Sequence, residues 1–206
     1  MKPNIVFFLI DGLRADVCFG ENKTCCTPNL DSLKKNSVSF TQAYSSADGT
    51  FTSLNSLFSG HFPFRTGVRA QRILLKKNNF IEIFTKKGYE INGLVPNLTS
   101  FRQLINYFKN NDNTFKVGTL IESLSTGLTN KIIDFLKSKT SKTPWLYYVH
   151  LCDLHPIREK NIPPGIENFD SEKFGASVYE KTISSIDHEL GKIFECVDFD
   201  NTILVL

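Results

Sequence analysis

The chain has 206 residues, with 24 Lys and Arg against 21 Asp and Glu, and is 41% hydrophobic and 22% charged. Those proportions belong to an ordinary globular domain and exclude a disordered, collagen-like or disulfide-dense protein. A formal net charge of +3, scattered along the chain, is too small to argue for nucleic acid by itself, and the length accommodates one large domain or at most two small ones, with ample chain to bury a core.

In chain order, residues 5–10 form an uninterrupted apolar run closed by Asp11, the pattern of a parallel strand covered on both faces. The run is shorter than the roughly 7–15 residues of a secretory hydrophobic region or the about 20 of a membrane span, so neither is expected. The five cysteines, with Cys25 and Cys26 adjacent, show no zinc-ligand spacing; reduced thiols in a cytoplasmic protein are the expectation. Residues 50–59 follow the turn signal Asp48-Gly49 and fit a short helix. Phe80, Ile83 and Phe84 give a helical stripe that stops at Lys86-Lys87-Gly88, and residues 89–95 then read as a strand.

Leu124, Leu128, Ile132 and Leu136 recur every four residues and predict another helix. Pro144 precedes an apolar strand over 145–151, and Tyr179, Ile183, Ile186, Leu190 and Ile193 mark the clearest helix. Residues 202–206 read as a strand with no turn or polar tail after it, the pattern of a chain that continues. The Lys and Asn stretches at 76–79 and 109–113 read as solvated loops. Strands alternating with helices, without internal repeats or long linkers, predict an α/β layered sheet.

In such a sheet, ligands gather beyond the carboxyl ends of the strands. Asp11 stands at that edge, either as a hard oxygen ligand for a metal, with Gly12 turning the backbone past it, or as a cap on the next segment. The Ser/Thr-rich stretch 49–60 is either a plain helix cap or a site for an anion at a helix start. In His150-Leu151-Cys152-Asp153-Leu154-His155-Pro156, a His and an Asp end a strand, with His150 and Asp153 expected to point differently from His155. Metal binding, proton transfer, anion holding and a simple surface turn all remain open for this stretch. His61 and His188 read as structural or solvent-facing.

These pieces fall in an order that resembles the N-terminal part of the sulfatase and alkaline phosphatase superfamily. Lys2-Pro3-Asn4-Ile5-Val6 through Asp11-Gly12-Leu13-Arg14-Ala15-Asp16 is similar to the first sulfatase motif, and Thr27-Pro28-Asn29-Leu30-Asp31-Ser32-Leu33, with Phe40 and Ala43-Tyr44, to the second. The stretch from Ser56-Leu57 to Gly67-Val68 resembles the segment after the family's nucleophile, and Tyr179, Ile183, Asp187, Leu190, Gly191 and Ile193 a later helix. The resemblance implies an alkaline-phosphatase-like three-layer α/β/α sandwich with a mostly parallel sheet, incomplete on its C-terminal side. Residues 1–206 would then be the N-terminal portion of one sulfatase-like domain. In the family an Asp-His pair follows the strand at 202–206, so these residues alone are expected to be inactive.

By the same resemblance the nucleophile position is Thr50. Sulfatases carry there a Cys or Ser converted to formylglycine, and Thr52 and Leu54 replace the Pro and Arg of that motif, so no formylglycine is expected. Related phosphatases, phosphodiesterases and phosphotransferases use a Thr nucleophile. The implied function is a metal-dependent ester hydrolase or phosphotransferase, with Thr50 attacking a phosphate ester to form a covalent intermediate. The alternatives are a sulfuric ester hydrolase and a non-catalytic sulfatase-like binding scaffold.

Asp11 and Thr50 would share one divalent ion (Ca, Mg, Mn or Zn). A single ion is expected because Gly12 replaces the second Asp ligand of many sulfatases, and the Asp153–His155 stretch lacks the longer spacing that supplies a second site. His155 would contact the ester and take part in catalysis, with Asp153 and Asn97 as further substrate contacts, Asn97 alternatively capping its loop. The segment 157–175, with Pro163-Pro164-Gly165, reads as a substrate-side loop. The expected partner is a small-molecule phosphate or sulfate ester, with no nucleic acid and no membrane span.

Overall fold

The computed structural model describes residues 2–68, 71–118, 121–139 and 142–206. In order they form β1 (Asn4–Ile10), α1 (Ala15–Cys18), α2 (Pro28–Lys35), α3 (Thr50–Ser59), α4 (Pro63–Thr66), α5 (Phe80–Lys86), β2 (Glu90–Pro96) and α6 (Arg102–Ile105). β3 (Thr114–Phe115), α7 (Leu128–Ser138), β4 (Trp145–Leu151), α8 (His155–Arg158), α9 (Val178–Phe194) and β5 (Thr202–Val205) follow. The strands make a parallel sheet in the order β3-β2-β4-β1-β5.

Side-chain alternation along the strands separates two cores. Val6 and Phe8 of β1, with Tyr147, Val149 and Leu151 of β4, face α7 and α9, where Leu128, Ile132, Ile183, Ile186 and Leu190 are buried. Ile5, Phe7 and Leu9, with Leu146 and Tyr148, face the opposite side, packed by Leu54 and Phe58 of α3 and Ile81 of α5. The sheet therefore lies between two helical layers, as the α/β/α expectation requires. Phe58 stacks on Phe80 with ring centroids 5.0 Å apart and meets Tyr148 edge-on at 5.4 Å. These contacts seat α3 on the sheet and fix where its first residue, Thr50, lies.

The helix expected through Leu124 and Leu128 is broken. Leu124–Thr126 is a 3-10 turn and α7 begins only at Leu128, because Gly127 takes φ +136°, outside the helical region. The 76–79 stretch is only partly solvated: Asn79 is buried, and its side chain accepts from the Glu82 N–H at 3.0 Å to cap α5. In 109–113, Asn110 pairs with both the N–H and the C=O of Gly93. Among the described residues no helix is long and apolar enough to cross a membrane.

The longest helix, α9, starts with a capping box: Ser177 Oγ accepts from Glu180 N–H at 3.3 Å, and Glu180 Oε2 accepts from Ser177 N–H at 2.8 Å. Its Asp187 crosses to α2. One carboxylate oxygen accepts from Leu30 N–H at 2.8 Å, and the other from Asn29 N–H at 3.1 Å and Asn29 Nδ2 at 2.9 Å. Thr27, the N-cap residue of α2, makes no side-chain cap bond, so the carboxylate from α9 satisfies the helix start instead.

Candidate active site

β1 and β4 are neighbours in register, with Ile10 opposite Leu151, so the turns beyond their carboxyl ends meet. Asp11 N–H donates to Leu151 C=O at 3.0 Å, and Gly12 at φ +81° turns the chain away, a conformation strained for any residue with a Cβ. Asp11 is no helix cap: α1 starts four residues later, with Arg14 at its N-cap. Thr50 is likewise not a cap, because Gly49 holds that position in α3. The Thr50 hydroxyl points at Asp11 and donates to Oδ2 at 3.0 Å, with Oδ1 at 3.4 Å.

His155, the first residue of α8, reaches the same oxygen from the other side, with Nε2 3.1 Å from Asp11 Oδ2. His150 Nε2 lies 3.5 Å from it and is buried without a hydrogen-bond partner. Burial works to raise the Asp11 pKa, but the His150 and His155 imidazoles outweigh it and hold the carboxyl well below its ordinary value. In return the hydrogen bond to Asp11 raises the His155 pKa and favours imidazolium. The group is a carboxylate held ionised between a hydroxyl and a proton-bearing imidazole, beside the N-terminal end of α3, where the helix dipole favours negative charge.

These residues line a cleft of about 830 Å³. Its walls carry Phe51, Leu98, Phe101 and Val117, and the segment after α8 contributes Arg158, Asn161 and Pro164. The stretch read as a substrate-side loop thus borders the cleft.

Asp11, Thr50 and His155 come together; Asp153 and Asn97 do not join them. Asp153 turns into the protein, where Oδ1 accepts from Leu124 N–H at 2.8 Å and Oδ2 is buried with no hydrogen-bond partner among the described residues; the residue lines a separate small cavity with Ser123, Thr182 and Ser185. Burial pushes its carboxyl up to about 6. Asn97 is exposed on the end of β2 and its backbone N–H donates to Phe115 C=O at 2.8 Å; its neighbours Pro96 and Leu98 line the cleft instead. The expected divergence of His150 from His155 is reversed, because both imidazoles reach Asp11 while Asp153 points away. His150 was accessible in the sequence as a polar side chain inside the apolar run of β4.

Among the described residues, no group of three or more His, Cys, Asp or Glu side chains is placed to hold a metal ion. The Asp11 carboxylate and the Thr50 hydroxyl are adjacent oxygen donors of the kind a hard divalent cation takes. They fit two positions of such a shell.

With fold and geometry in place, comparison with known proteins gives the class. The sequence model of the sulfatase family matches residues 3–206, and the chain belongs to that family. An uncharacterized protein of Haemophilus influenzae is 25% identical over 216 residues, covering 100% of this chain and 31% of its own length. The Ulvan-active sulfatase of Formosa agariphila is 35% identical over 91 residues, covering 43% of this chain and 18% of its own length. The phosphonate monoester hydrolase of Agrobacterium radiobacter superposes with a TM-score of 0.72 at 14% identity, over 98% of this chain and 61% of that one. The chain thus spans about a third or less of the length of the two curated sequence relatives.

Proposed function

We propose that the chain is the nucleophile-bearing, N-terminal portion of one sulfatase-like domain that acts as a metal-dependent phosphate-ester hydrolase or phosphotransferase. The observation that carries this reading is the hydrogen bond of Thr50 Oγ1 to Asp11 Oδ2 at 3.0 Å, with His155 on the same oxygen. Asp11 and Thr50 would hold one divalent ion, from Ca, Mg, Mn or Zn, with the other ligands drawn from the whole protein. Such an ion lowers the pKa of a bound hydroxyl and neutralises ester charge.

This chain's residues then have definite tasks. Asp11 orients the Thr50 hydroxyl through that hydrogen bond, and the hydroxyl, acidified by the ion, gives up its proton to water in the open cleft. Thr50 Oγ1 bonds to phosphorus as the ester oxygen leaves, and His155, in its imidazolium form, gives that oxygen its proton. The phosphoryl group then rests on Thr50 until water or another acceptor takes it. The first turn of α3 stabilises the charge on the non-bridging oxygens. The hydroxyl at Thr50, which can attack phosphorus directly without conversion to formylglycine, supports a phosphorus centre. We place the protein in a reducing compartment, the cytoplasm, a reading supported by its five free thiols.

A sulfuric ester hydrolase is the second reading, supported by the 35% identity to a sulfatase. Thr50 weighs against it, since the formylglycine route of sulfatases starts from Cys or Ser. The test is turnover of p-nitrophenyl phosphate and p-nitrophenyl sulfate by the whole protein and its Thr50→Ala variant. Phosphate-ester turnover lost in the variant, with a phosphorylated Thr50 found by mass spectrometry, is the expected result. Sulfate-only turnover establishes the second reading. Binding of phosphate without turnover in either protein establishes a non-catalytic scaffold.

A further inference from the structure

Tyr179 stands in the first turn of α9, and its side chain crosses to the turn that follows Asp11. The phenol oxygen accepts from Arg14 N–H at 2.9 Å and donates to Gly12 C=O at 2.7 Å. Both bonds fall on the short segment between β1 and α1, where Gly12 at φ +81° swings the chain out of the sheet. Within that segment Leu13 N–H reaches Ile10 C=O only at 3.4 Å, longer than a well-formed N–H···O bond. The phenol is therefore the shorter tie on this side of Asp11. On the other side the tie is Asp11 N–H to Leu151 C=O at 3.0 Å.

The phenol is itself well held. Its ring packs against the core that β1 and β4 share with α7 and α9. The Ser177–Glu180 capping box fixes the start of α9, and Asp187 ties the helix to α2 further along. Burial raises the Tyr179 pKa, which keeps its O–H available to donate. Asp11 thus leaves the backbone between two anchored points, and its Oδ2 meets Thr50 Oγ1 at 3.0 Å and His155 Nε2 at 3.1 Å. A ligand group held in place before binding has less freedom to lose when an ion arrives. We propose that Tyr179 is a positioning residue: its hydroxyl holds the 12–14 turn and so keeps the Asp11 carboxylate aimed at Thr50 and at the divalent ion the two would share. The inference rests on the ion-site reading above and deepens it by adding a residue that acts only through the backbone beside Asp11.

The test uses the whole protein, stripped of metal, and titrates Ca²⁺, Mg²⁺, Mn²⁺ and Zn²⁺ separately by calorimetry. Tyr179→Phe keeps the ring and removes only the hydroxyl. It is expected to speed hydrogen exchange of the 12–14 segment and to weaken ion binding by about tenfold or more, as for loss of a group that orients a metal ligand. Asp187→Asn loosens the same helix without touching the turn. It is expected to lower the urea midpoint and leave ion affinity unchanged. Asp11→Asn is expected to abolish the binding, which assigns the ion to this site. Unchanged affinity in Tyr179→Phe, with binding lost in Asp11→Asn, overturns the proposal and leaves the ion site standing. Equal weakening in Tyr179→Phe and Asp187→Asn also overturns it, because loss of fold then explains both. Binding of none of the four ions by the wild type, or binding that survives Asp11→Asn, overturns the ion-site reading and the proposal together.

Discussion

The Thr50 hydroxyl donates to the Asp11 carboxylate at 3.0 Å across 39 residues of sequence. Two pieces of packing that share β4 bring them together: the pairing of β1 with β4, which sets Asp11, and the Phe58–Phe80–Tyr148 cluster, which sets α3. The Thr50 side chain makes no contribution to capping α3, so its removal costs little fold. Thr50→Ala is expected to change stability by less than about 1 kcal/mol, while ester turnover by the whole protein falls by about 10³-fold or more, as for loss of a nucleophile. Thr50→Ser keeps the hydroxyl and is expected to retain measurable turnover. Chemical denaturation of the variants beside their kcat/KM separates the two effects.

Much of this site was legible in the chain. Asp11 follows a closed apolar run, and Thr50 opens a stretch whose apolar spacing is helical, so position at a strand end and at a helix start could be read directly. The turn at 152–154 was not legible: alternation along β4 says nothing about which way Asp153 swings once the strand stops, and the structure buries it against Leu124. For the same reason His150, inside the strand, and His155, beyond it, could not be seen to converge. In the fold, β3 has two residues and shows no alternation to detect. The four-residue repeat from Leu124 to Leu136 hid the break at Gly127, because apolar spacing is blind to a positive φ.

Asp187 ties α9 to α2. Its carboxylate is buried and accepts the N–H groups of Asn29 and Leu30 together with Asn29 Nδ2. Burial raises its pKa against these donors. Asp187→Ala strands buried N–H groups at the start of α2 and is expected to destabilise the fold by about 2–5 kcal/mol. Asp187→Asn keeps one acceptor and is expected to fall between. Urea unfolding midpoints at constant m-value check the order.

Gly191 lies one helical turn beyond Asp187 and explains why the same motif carries a glycine. A Cβ placed there would lie 2.6 Å from Asn29 Cγ, and Asn29 cannot retreat without losing its bonds to Asp187. Gly191→Ala gains helix propensity of about 1 kcal/mol but must displace Asn29, at an overpacking cost of about 1–3 kcal/mol. The net expectation is destabilisation. In Asn29→Ala the obstacle is gone, so adding Gly191→Ala to that variant is expected to be neutral or stabilising. A double-mutant cycle on unfolding free energies measures this coupling.

Asp153 makes stability depend on pH with a definite sign. Its carboxyl is pushed up to about 6 in the folded chain by burial, against about 3.9 when unfolded. Between those values the native state binds the proton more tightly than the unfolded state does, so this group lowers stability as pH rises. The loss begins as pH climbs through about 4 and is complete above about 6, and its size is on the order of 2–3 kcal/mol. Asn in its place can still accept from Leu124 N–H and presents no charge to the small cavity lined by Ser123, Thr182 and Ser185. Asp153→Asn is therefore expected to raise stability at pH 7 relative to wild type and to make little difference at pH 4. Subtracting the variant's pH–stability curve from the wild-type curve cancels the opposing contribution of Asp11, whose lowered pKa has the reverse sign. A difference curve that is flat from pH 4 to 7 would show that Asp153 is not the group responsible.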